Sequence, residues 1–333
     1  MNVSPMLSIV PWRAARRLGP LGVWTAVCLV TLLAQGCTKS PEGAGGAAGA
    51  GAAAGTGVFG SADEAATALT SALRASDRPR LLAIMGSDAE QILSSGDEVQ
   101  DRNRREKFLA LYDEKHALVN AGENEVTLVV GKADWPFPVP IVRQDGSWRF
   151  DTDAGFDEII NRRVGENELS AVQVCRAIAD AQREYAWKHP DADGVNQYAR
   201  QFYSDPGKHN GLYWPSAPGE EPSPLGELAA AAAAEGYTRR TEGPTPYHGY
   251  CYRLLEAQGP HAPDGAVSYV VDGKLTLGFA VVAYPAEYGD SGVMTFIMGP
   301  EGTVFQKNLG DDTAKLVGEI TTFDPGDGWT KVD

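Results

Sequence analysis

The chain has few cysteines and histidines, and its charge is strongly unbalanced. Its 333 residues include four cysteines, five histidines, and 29 basic against 44 acidic side chains. No pair of histidines has the His-Glu-x-x-His spacing of zinc hydrolases, and no glycine-rich loop ends in Lys-Ser or Lys-Thr. These absences exclude two common motifs for zinc and phosphate binding. The net charge of -15 argues against nucleic acid as a partner, and we expect no cofactor.

The first 36 residues are typical of an export signal. Arg13, Arg16 and Arg17 precede an uncharged apolar run from Leu21 to Ala34. This run is shorter than the roughly 20 apolar residues that span a bilayer, and it suits the apolar region of a secretory signal. Removal of the segment changes the net charge from -15 to -18, because it takes away three arginines and no acidic residue.

A cysteine follows the apolar run at once. The segment Leu33-Ala34-Gln35-Gly36-Cys37 resembles the lipobox of bacterial lipoproteins, in which the cysteine is acylated and becomes the new N-terminus. Ordinary cleavage after Gly36, which would release a soluble protein, is the alternative. We expect acylation of Cys37, which would anchor the protein to a membrane. Because Thr38 and not aspartate follows, the resemblance implies an exported lipoprotein on the outer membrane, facing the periplasm.

Composition and length divide the rest of the chain. Residues 43–57 contain seven glycines, seven alanines and one threonine, which is the composition of a flexible tether. About 275 residues follow. This length exceeds that of a domain with a single hydrophobic core, so two domains are expected. We therefore predict a signal peptide over residues 1–36, a tether over 37–57, a first α+β domain over 58–164 and a second α+β domain over 165–333.

The first domain is predicted to contain helices and then strands. Ser61 is expected to cap one helix, Asp77 to cap a second that ends at Gly86, and a charged helix to carry apolar residues from Phe108 to Leu118. Alternation then predicts strands, with a hairpin turn at Gln144-Asp145-Gly146. This order of elements, and phrases such as VRQDGSWRFD, resemble the NTF2-like, cystatin-related α+β cone.

The second domain is predicted to pack helices on an antiparallel sheet. We expect a helix over Ala154 to Val164, then a longer one from Glu166 to about Lys188, with a stripe of apolar residues on one face. The stripe consists of Ala171, Val174, Ile178, Ala181 and Tyr185. Strands follow, with a turn at Gly299-Pro300-Glu301-Gly302. One long helix on such a sheet resembles the globular half of type IV pilins, although the apolar N-terminal half of the pilin helix is lacking.

Longer phrases carry a more specific resemblance. They are DEKHALV, ADWPFPVPIV, GSWRFDT, IINRRVGENEL, DAQREYA, PGKHNGLYWP, PYHGY and YPAEYGDSGVMTFIMGPEGTVFQKNLG. Together they resemble the bacterial lipoprotein family of domain of unknown function 2950, over nearly everything from Phe59 to Trp329. The resemblance implies export and a lipid anchor, and it implies no particular activity.

An aromatic and proline-rich stretch supplies the first candidate ligand-binding residues. Trp135 and Phe137 stand among three prolines, which remove backbone donors and favour an extended edge strand. These rings, with Trp148 across the hairpin, are candidates for the walls of a ligand cleft. The alternative is a bulged edge strand whose rings seal the cone.

His248 and Glu287 are the other candidate ligand-binding residues. His248 lies between aromatic residues at the start of a strand, where we expect it to face Glu287 or Asp290. Ser291 follows these carboxylates, so the composition is compatible with a Ser-His-acid set, although no Gly-x-Ser-x-Gly elbow exists. A structural turn with a hydrogen-bonded histidine is the alternative, and we predict no catalytic residue.

Three further groups of residues can each be interpreted in two ways. Asp191 and Asp193 are weak candidates for calcium ligands, but the pattern lacks a third oxygen ligand, so an Asp-rich turn is favoured and no metal site is expected. Cys175 and Cys251 either form a disulfide or remain buried thiols. The pair Arg162-Arg163 either binds a carboxylate ligand or lies on a helix surface.

These observations favour a non-catalytic role. We expect a lipid-anchored protein of the cell envelope that binds an envelope protein or a small ligand, or serves as a scaffold. Two alternatives stay open. One is an envelope hydrolase with a cleft near His248, and the other is a structural subunit that assembles through a pilin-like face.

Overall fold

The structure is a computed structural model that describes residues 57–86, 89–190, 194–240 and 243–332. Cys37, Asp191 and Asp193 lie outside these ranges, so the predictions on them have no structural counterpart. The described chain is a mixed α+β protein with antiparallel sheets and one long helix. Within those ranges, no helix is both long enough and apolar enough to cross a bilayer.

Four helices open the described chain. They are α1 over Ala62–Ala75, α2 over Arg78–Met85, α3 over Glu90–Leu93 and α4 over Glu98–Glu114. The predicted caps are confirmed: Ser61 Oγ accepts a hydrogen bond from the Glu64 backbone at 3.1 Å, and Asp77 accepts one from the Arg80 backbone. Each cap satisfies a donor that the first turn of a helix leaves free.

A five-stranded antiparallel sheet follows. Its strands are β1 over His116–Gly122, β2 over Glu125–Val130, β3 over Trp135–Pro136, β4 over Ile141–Gln144 and β5 over Ser147–Phe150. Their order is β1-β2-β4-β5, with β3 paired to β2. Leu118, predicted to be helical, pairs with Leu128 in the sheet, because α4 ends at Glu114. The hairpin at Asp145 and Gly146 is confirmed, and both residues have the positive φ that a tight hairpin turn requires.

A single helix, α5 over Thr152–Lys188, replaces the two helices predicted here. Its 37 residues extend about 55 Å. Gly165 lies inside α5 and costs it only about 1 kcal/mol relative to alanine, whereas a proline would have broken it. The expected boundary between residues 164 and 165 therefore falls within a continuous helix. The predicted apolar stripe from Ala171 to Tyr185 is confirmed as buried.

The second sheet packs against the C-terminal part of α5. After α6 over Gly226–Glu235, its strands are β6 over Tyr250–Leu255, β11 over Ala280–Pro285, β12 over Met294–Met298, β13 over Val304–Asn308 and β14 over Thr330–Lys331. They pair in the order β14-β13-β12-β11-β6, and the predicted turn at residues 299–302 joins β12 to β13. Two short strand pairs and a helix complete the fold. The strand β7 over Ala257–Gln258 pairs with β8 over Val267–Ser268, and β9 over Val270–Val271 pairs with β10 over Lys274–Leu275. The helix is α7 over Thr313–Glu319.

Two hydrophobic cores result. The first lies between α1, α2 and the first sheet, and contains Leu69, Leu128 and Ile141, each at most 1% exposed. The second lies between α5 and the second sheet and contains Ile178 and Phe296. The N-terminal part of α5 passes the first core, opposite α4. Residues of both helices line a cleft at this place.

Candidate ligand-binding cleft

A cleft of about 1180 Å³ lies between α4 and α5. Small-molecule sites typically enclose roughly 300 to 1,000 Å³, so this volume is ample for such a ligand. Apolar side chains from α1, α2, α4, α5 and the first sheet line one end, namely Leu69, Leu73, Leu81, Met85, Phe108, Leu111, Val130, Phe137 and Ile159. Phe108 and Leu111 come from α4 and Ile159 from α5, so residues of both helices line this end.

The other end of the cleft is polar. Along α4 the lining changes from Gln100 and Arg104 to Phe108 and Leu111, over about 16 Å of helix. Glu235, at the end of α6, and His248 complete the polar end. Along α4 the lining therefore changes from mainly polar to mainly apolar, while Arg78 and Arg162 reach the cleft from α2 and α5.

The cleft has a surplus of positive charge in an acidic protein. Its lining includes six cationic side chains, namely Arg78, Arg104, Arg105, Lys107, Arg162 and Arg163, against the carboxylates Asp101, Glu166 and Glu235. The whole chain carries a net charge of -15. Charge of one sign in a partly buried cleft concentrates ligands of the opposite sign, so this lining favours anions.

Each carboxylate of the lining already has a protein partner. Asp101 accepts hydrogen bonds from the backbone and the hydroxyl of Ser95 at 2.9 and 2.7 Å. Glu166 accepts one from Arg104 at 2.9 Å, and Glu235 lies 2.6 Å from His248 Nε2. Arg78 and Arg162 pair in turn with Glu90 and Glu158, which lie outside the lining, so the cations without a carboxylate partner among the described residues are Arg105, Lys107 and the buried Arg163.

Asn167 joins α4 to α5 at the polar end. It is fully buried, and its Nδ2 donates to the Ser291 carbonyl at 2.8 Å. Its Oδ1 must then be the acceptor for Gln100 Nε2 at 2.7 Å and for Arg104 at 3.0 Å. This network fixes the orientation of both amides. Gln100 Oε1 and Arg104 Nη1 are left buried without a partner among the described residues.

A second buried group links the polar end to the second sheet. Asp97, only 2% exposed, caps α4 and accepts hydrogen bonds from Tyr237 Oη and the Gly249 backbone, both at 2.9 Å. Burial and the nearby Asp97 carboxylate raise the pKa of Tyr237, so this phenol stays a donor. The contact fixes the start of α4 and, through Gly249, the position of His248.

Arg163 closes the cleft wall on α5. Its side chain is 6% exposed and donates to the backbone carbonyls of Gln91, at 2.8 Å, and Ile92. Burial lowers the pKa of its guanidinium, and the Arg104 charge lowers it further, against an opposing effect of Asp101. Arg163 is therefore a buried structural cation next to Arg104, and only Arg162 of the predicted pair lies on the surface.

The structure places three of the five candidate ligand-binding residues in the cleft lining. They are Trp135, Phe137 and His248. Trp148 lies outside it, where its backbone bridges to Phe59 at 2.8 Å. Glu287 also lies outside it, in the turn before Ser291. Phe137 packs between Phe108 and Phe150, with ring centroids 5.3 and 6.3 Å apart, so it also seals the first core.

His248 has a different partner from the one expected. Its Nε2 pairs with Glu235 and not with Glu287 or Asp290, because α6 ends beside it. Ser291 is fully buried, and its hydroxyl donates to the Glu287 carbonyl at 3.0 Å while it accepts from the Glu287 backbone. The serine hydrogen is committed to this turn, so the conceivable Ser-His-acid set is not assembled. His248 itself has a φ of +50°, an uncommon conformation for a residue other than glycine.

A family model described as "Protein of unknown function (DUF2950)" matches residues 56–332. That range includes α4, α5 and every residue of the cleft. The chain belongs to the DUF2950 family. Of the resemblance inferred from the sequence, membership of DUF2950 is thus confirmed, and the description of the family assigns no activity. Neither the curated proteins nor the solved structures contain a match to this DUF2950 chain.

Cys175 and Cys251, the two cysteines within the described part of this DUF2950 protein, are free in the structure, where a disulfide was one of two expectations. Cys175 on α5 interacts with Tyr250 and Tyr252, and Cys251 lies between them on β6. Side chains alternate along a strand, so Cys251 points to the opposite face of the sheet. Burial raises the pKa of Cys175 to about 12 and that of Cys251 to about 11, so both stay protonated at neutral pH.

Sequence reasoning missed the residues that close the polar end. Gln100, Arg104 and Asn167 lie in helices rich in charge, where a polar residue normally faces solvent. A weak signal exists in α4, since Gln100, Arg104, Lys107, Phe108 and Leu111 follow helical spacing on one face. As for metals, the described part of this DUF2950 chain contains no cluster of three or more residues able to hold one.

Proposed function

We propose that this protein is a non-catalytic binding protein of the cell envelope whose cleft holds a small ligand. The observation that carries the proposal is the cleft itself, with an apolar floor at one end and convergent polar groups at the other. This combination is what small-molecule sites typically offer. The graded lining provides both the burial that drives binding and the polar contacts that orient a ligand.

The cellular location of the protein is part of the same proposal. The signal segment, the lipobox and the tether support a lipoprotein anchored through Cys37, exported and facing the periplasm from the outer membrane. Its lipid chains would hold the acidic domain at a surface that its net charge alone would not favour. In terms of finer fold classes, we propose an NTF2-like cone for the first sheet with its helices and a pilin-like arrangement for α5 on the second sheet.

Native mass spectrometry tests the ligand proposal. The chain from Thr38, incubated with an extract of envelope small molecules and desalted, should carry a noncovalent ligand of a few hundred daltons. Ser170→Trp places an indole in the polar end of the cleft and should abolish this mass shift. Ser71→Trp is the matched control, because Ser71 is exposed on α1 and lies outside the lining. Equal ligand on both variants would show that the cleft is not the site.

Mass spectrometry of the mature N-terminal peptide tests the anchor. We expect an acylated Cys37 as the first residue and a protein that fractionates with membranes. Cys37→Ser should retain the full signal segment or release the protein into the soluble fraction. An unmodified N-terminal peptide would contradict the anchor without affecting the ligand test.

A second candidate function has one specific observation in its favour. His248 and Glu235 form a close pair in the cleft lining, at 2.6 Å, and such a pair can serve as a general base toward water. This arrangement would suit a hydrolase that needs no serine nucleophile. Hydrolysis of ester substrates that is lost in His248→Ala and retained in His116→Ala would favour this candidate over simple binding.

A further inference from the structure

We propose that the cleft selects a single-chain amphiphile whose anionic head group also carries a hydrogen-bond donor, as a β-hydroxy fatty acid does. The inference rests on the proposed small-ligand function and specifies its ligand class. It follows from three features: the apolar floor, the uncompensated cations, and one buried donor beside one buried acceptor.

The apolar end fits a hydrocarbon chain. Its floor is formed by aliphatic and aromatic side chains such as Leu69, Phe108, Leu111 and Val130, and the polar side chains nearest to them in the lining, Ser76 and Arg78, come from the ends of α1 and α2. A sugar or a nucleobase would lose most of its hydrogen bonds with water against this apolar surface. A hydrocarbon chain gains about 0.8 kcal/mol for every buried methylene. The distance of about 16 Å along α4 from Gln100 to Leu111 suits an extended chain of medium length.

The cationic side chains of the cleft determine which charge the head group of a ligand should carry. Arg105 and Lys107 line the cleft and have no hydrogen-bond or ion-pair partner among the described residues. Arg104 uses Nη2 for Glu166 and Asn167, while its Nη1 has no acceptor. Because the lining carboxylates are already hydrogen-bonded within the protein, an anionic head group is the complementary partner. Guanidinium groups bind carboxylate and phosphate with particular strength.

The buried amide adds a second requirement. Gln100 is 8% exposed, lines the cleft, and has an Oε1 without a donor among the described residues. The bond from Asn167 Nδ2 to Ser291 fixes Asn167 Oδ1 as an acceptor, so Gln100 cannot turn its amide without loss. A head group made of acceptors alone would leave this oxygen unsatisfied. A hydroxyl next to the acid group would donate to Gln100 Oε1 while the acid group accepts from Arg104 Nη1, once the two side chains shift, because both atoms are closed to water in this structure.

Calorimetry with four matched probes tests the proposal. The probes are β-hydroxydodecanoate, dodecanoate, dodecanol and dodecyltrimethylammonium, each below its critical micelle concentration. The described residues, from Gly57 onward, belong to one compact unit, so a chain that starts at Thr38 retains all of them and avoids lipid and detergent. We expect β-hydroxydodecanoate to bind about two- to tenfold more tightly than dodecanoate, from one added hydrogen bond. Dodecanol should bind at least tenfold more weakly than dodecanoate, and the cationic probe more weakly still.

Variants assign the effect to the cleft. Arg104→Ala should weaken dodecanoate binding by about tenfold to a hundredfold, through loss of a charge-assisted hydrogen bond, and leave dodecanol binding unchanged. Arg149→Ala is the control, since Arg149 is exposed on β5 and lies outside the lining. Arg104 also contacts Asn167, so the double variant Arg105→Ala with Lys107→Ala provides a second measurement that breaks no described contact. It should weaken dodecanoate binding several-fold.

Three outcomes would contradict this inference, and they show whether the proposed function fails with it. If dodecanol binds as tightly as dodecanoate and Ser170→Trp abolishes both, the cleft binds small ligands and the anionic class is wrong. If Ser170→Trp leaves probe binding unchanged, the cleft is not a binding site and both proposals fail. If neither Arg104→Ala nor the double variant changes dodecanoate binding, the cations do not select the head group and the inference is overturned.

Discussion

The two halves of α5 belong to one helix, yet they bury different kinds of residues. Residues 152–170 bury Thr152, Gly155, Arg163 and Asn167, and the other side chains of this half are half-buried or exposed. Residues 171–188 bury ten side chains, mostly small or aliphatic. They are Ala171, Val172, Val174, Cys175, Ile178, Ala179, Ala181, Gln182, Tyr185 and Ala186. The C-terminal half packs a core, whereas the N-terminal half is held by hydrogen bonds and leaves space beside it.

This difference explains where a cleft can exist in the molecule. A helix packed through interdigitated aliphatic side chains leaves few voids larger than a water molecule. A helix held at a few points by buried polar contacts can stand away from its neighbour between those points. Asn167 and Arg163 are such points, and the apolar end of the cleft opens beyond them, toward the N-terminus of α5. The C-terminal half of α5 thus stabilises the fold through its packing, whereas the N-terminal half borders the space in which a ligand can bind.

The largest expected effect comes from the packed half. Ile178→Ala removes a side chain that is 2% exposed in the second core, and it should lower the free energy of unfolding by about 2–5 kcal/mol. Chemical denaturation measures this value. Leu169→Ala is the matched control on the same helix, because Leu169 is 72% exposed and should cost less than about 0.5 kcal/mol. Similar losses for the two variants would contradict the packing described for α5.

The packed half could be predicted from the sequence, and the polar half could not. The stripe from Ala171 to Tyr185 has helical spacing, which is a local property that reports burial directly. Asn167 depends on Gln100 and Ser291, which are 67 and 124 residues away in the chain. Local periodicity does not report contacts of that kind, and an asparagine in a charged helix is usually exposed. The network therefore required the structure.

In the cleft, too, some residues could be predicted from the sequence and others could not. Trp135, Phe137 and His248 could be singled out because prolines and aromatic neighbours mark their segments, and all three line the cleft. The cations could not be assigned to it, since helical arginines normally lie on the surface. His248 was expected to pair with an acid nearby in its own sheet. Its partner Glu235 comes from the end of α6, whose position next to α4 depends on hydrogen bonds from Asn103 and Arg102 to the Glu235 carbonyl.

The next largest effect concerns the polar half. Asn167→Ala removes three hydrogen bonds and leaves the Ser291 carbonyl and the Gln100 amide buried without this partner. We expect a loss of about 1–3 kcal/mol in the free energy of unfolding, measured by denaturation. Asn161→Ala serves as the control on the same half of α5, because Asn161 is exposed, and it should change stability by less than about 0.5 kcal/mol. A neutral Asn167→Ala would show that the network does not hold α4 to α5.

The smallest effect is expected at the surface of the cleft. Arg162 forms an exposed pair with Glu158 at 2.6 Å, and its guanidinium lies 5.1 Å from the ring centroid of Trp135. Exposed pairs of both kinds contribute little, so Arg162→Ala should lower the free energy of unfolding by at most about 1 kcal/mol. It should also increase the quenching of tryptophan fluorescence by acrylamide, because Trp135 loses the side chain that covers it.

Arg176→Ala is the control for this last variant, since Arg176 is exposed on the packed half of α5, and it should leave the quenching unchanged. A loss of several kcal/mol in Arg162→Ala, with unchanged quenching, would mean that the N-terminal half of α5 is packed as tightly as the C-terminal half. In that case the space beside α5 would not be a preformed cleft. A small loss with increased quenching would instead separate the two halves as described, because a side chain that borders an open cleft affects accessibility more than stability.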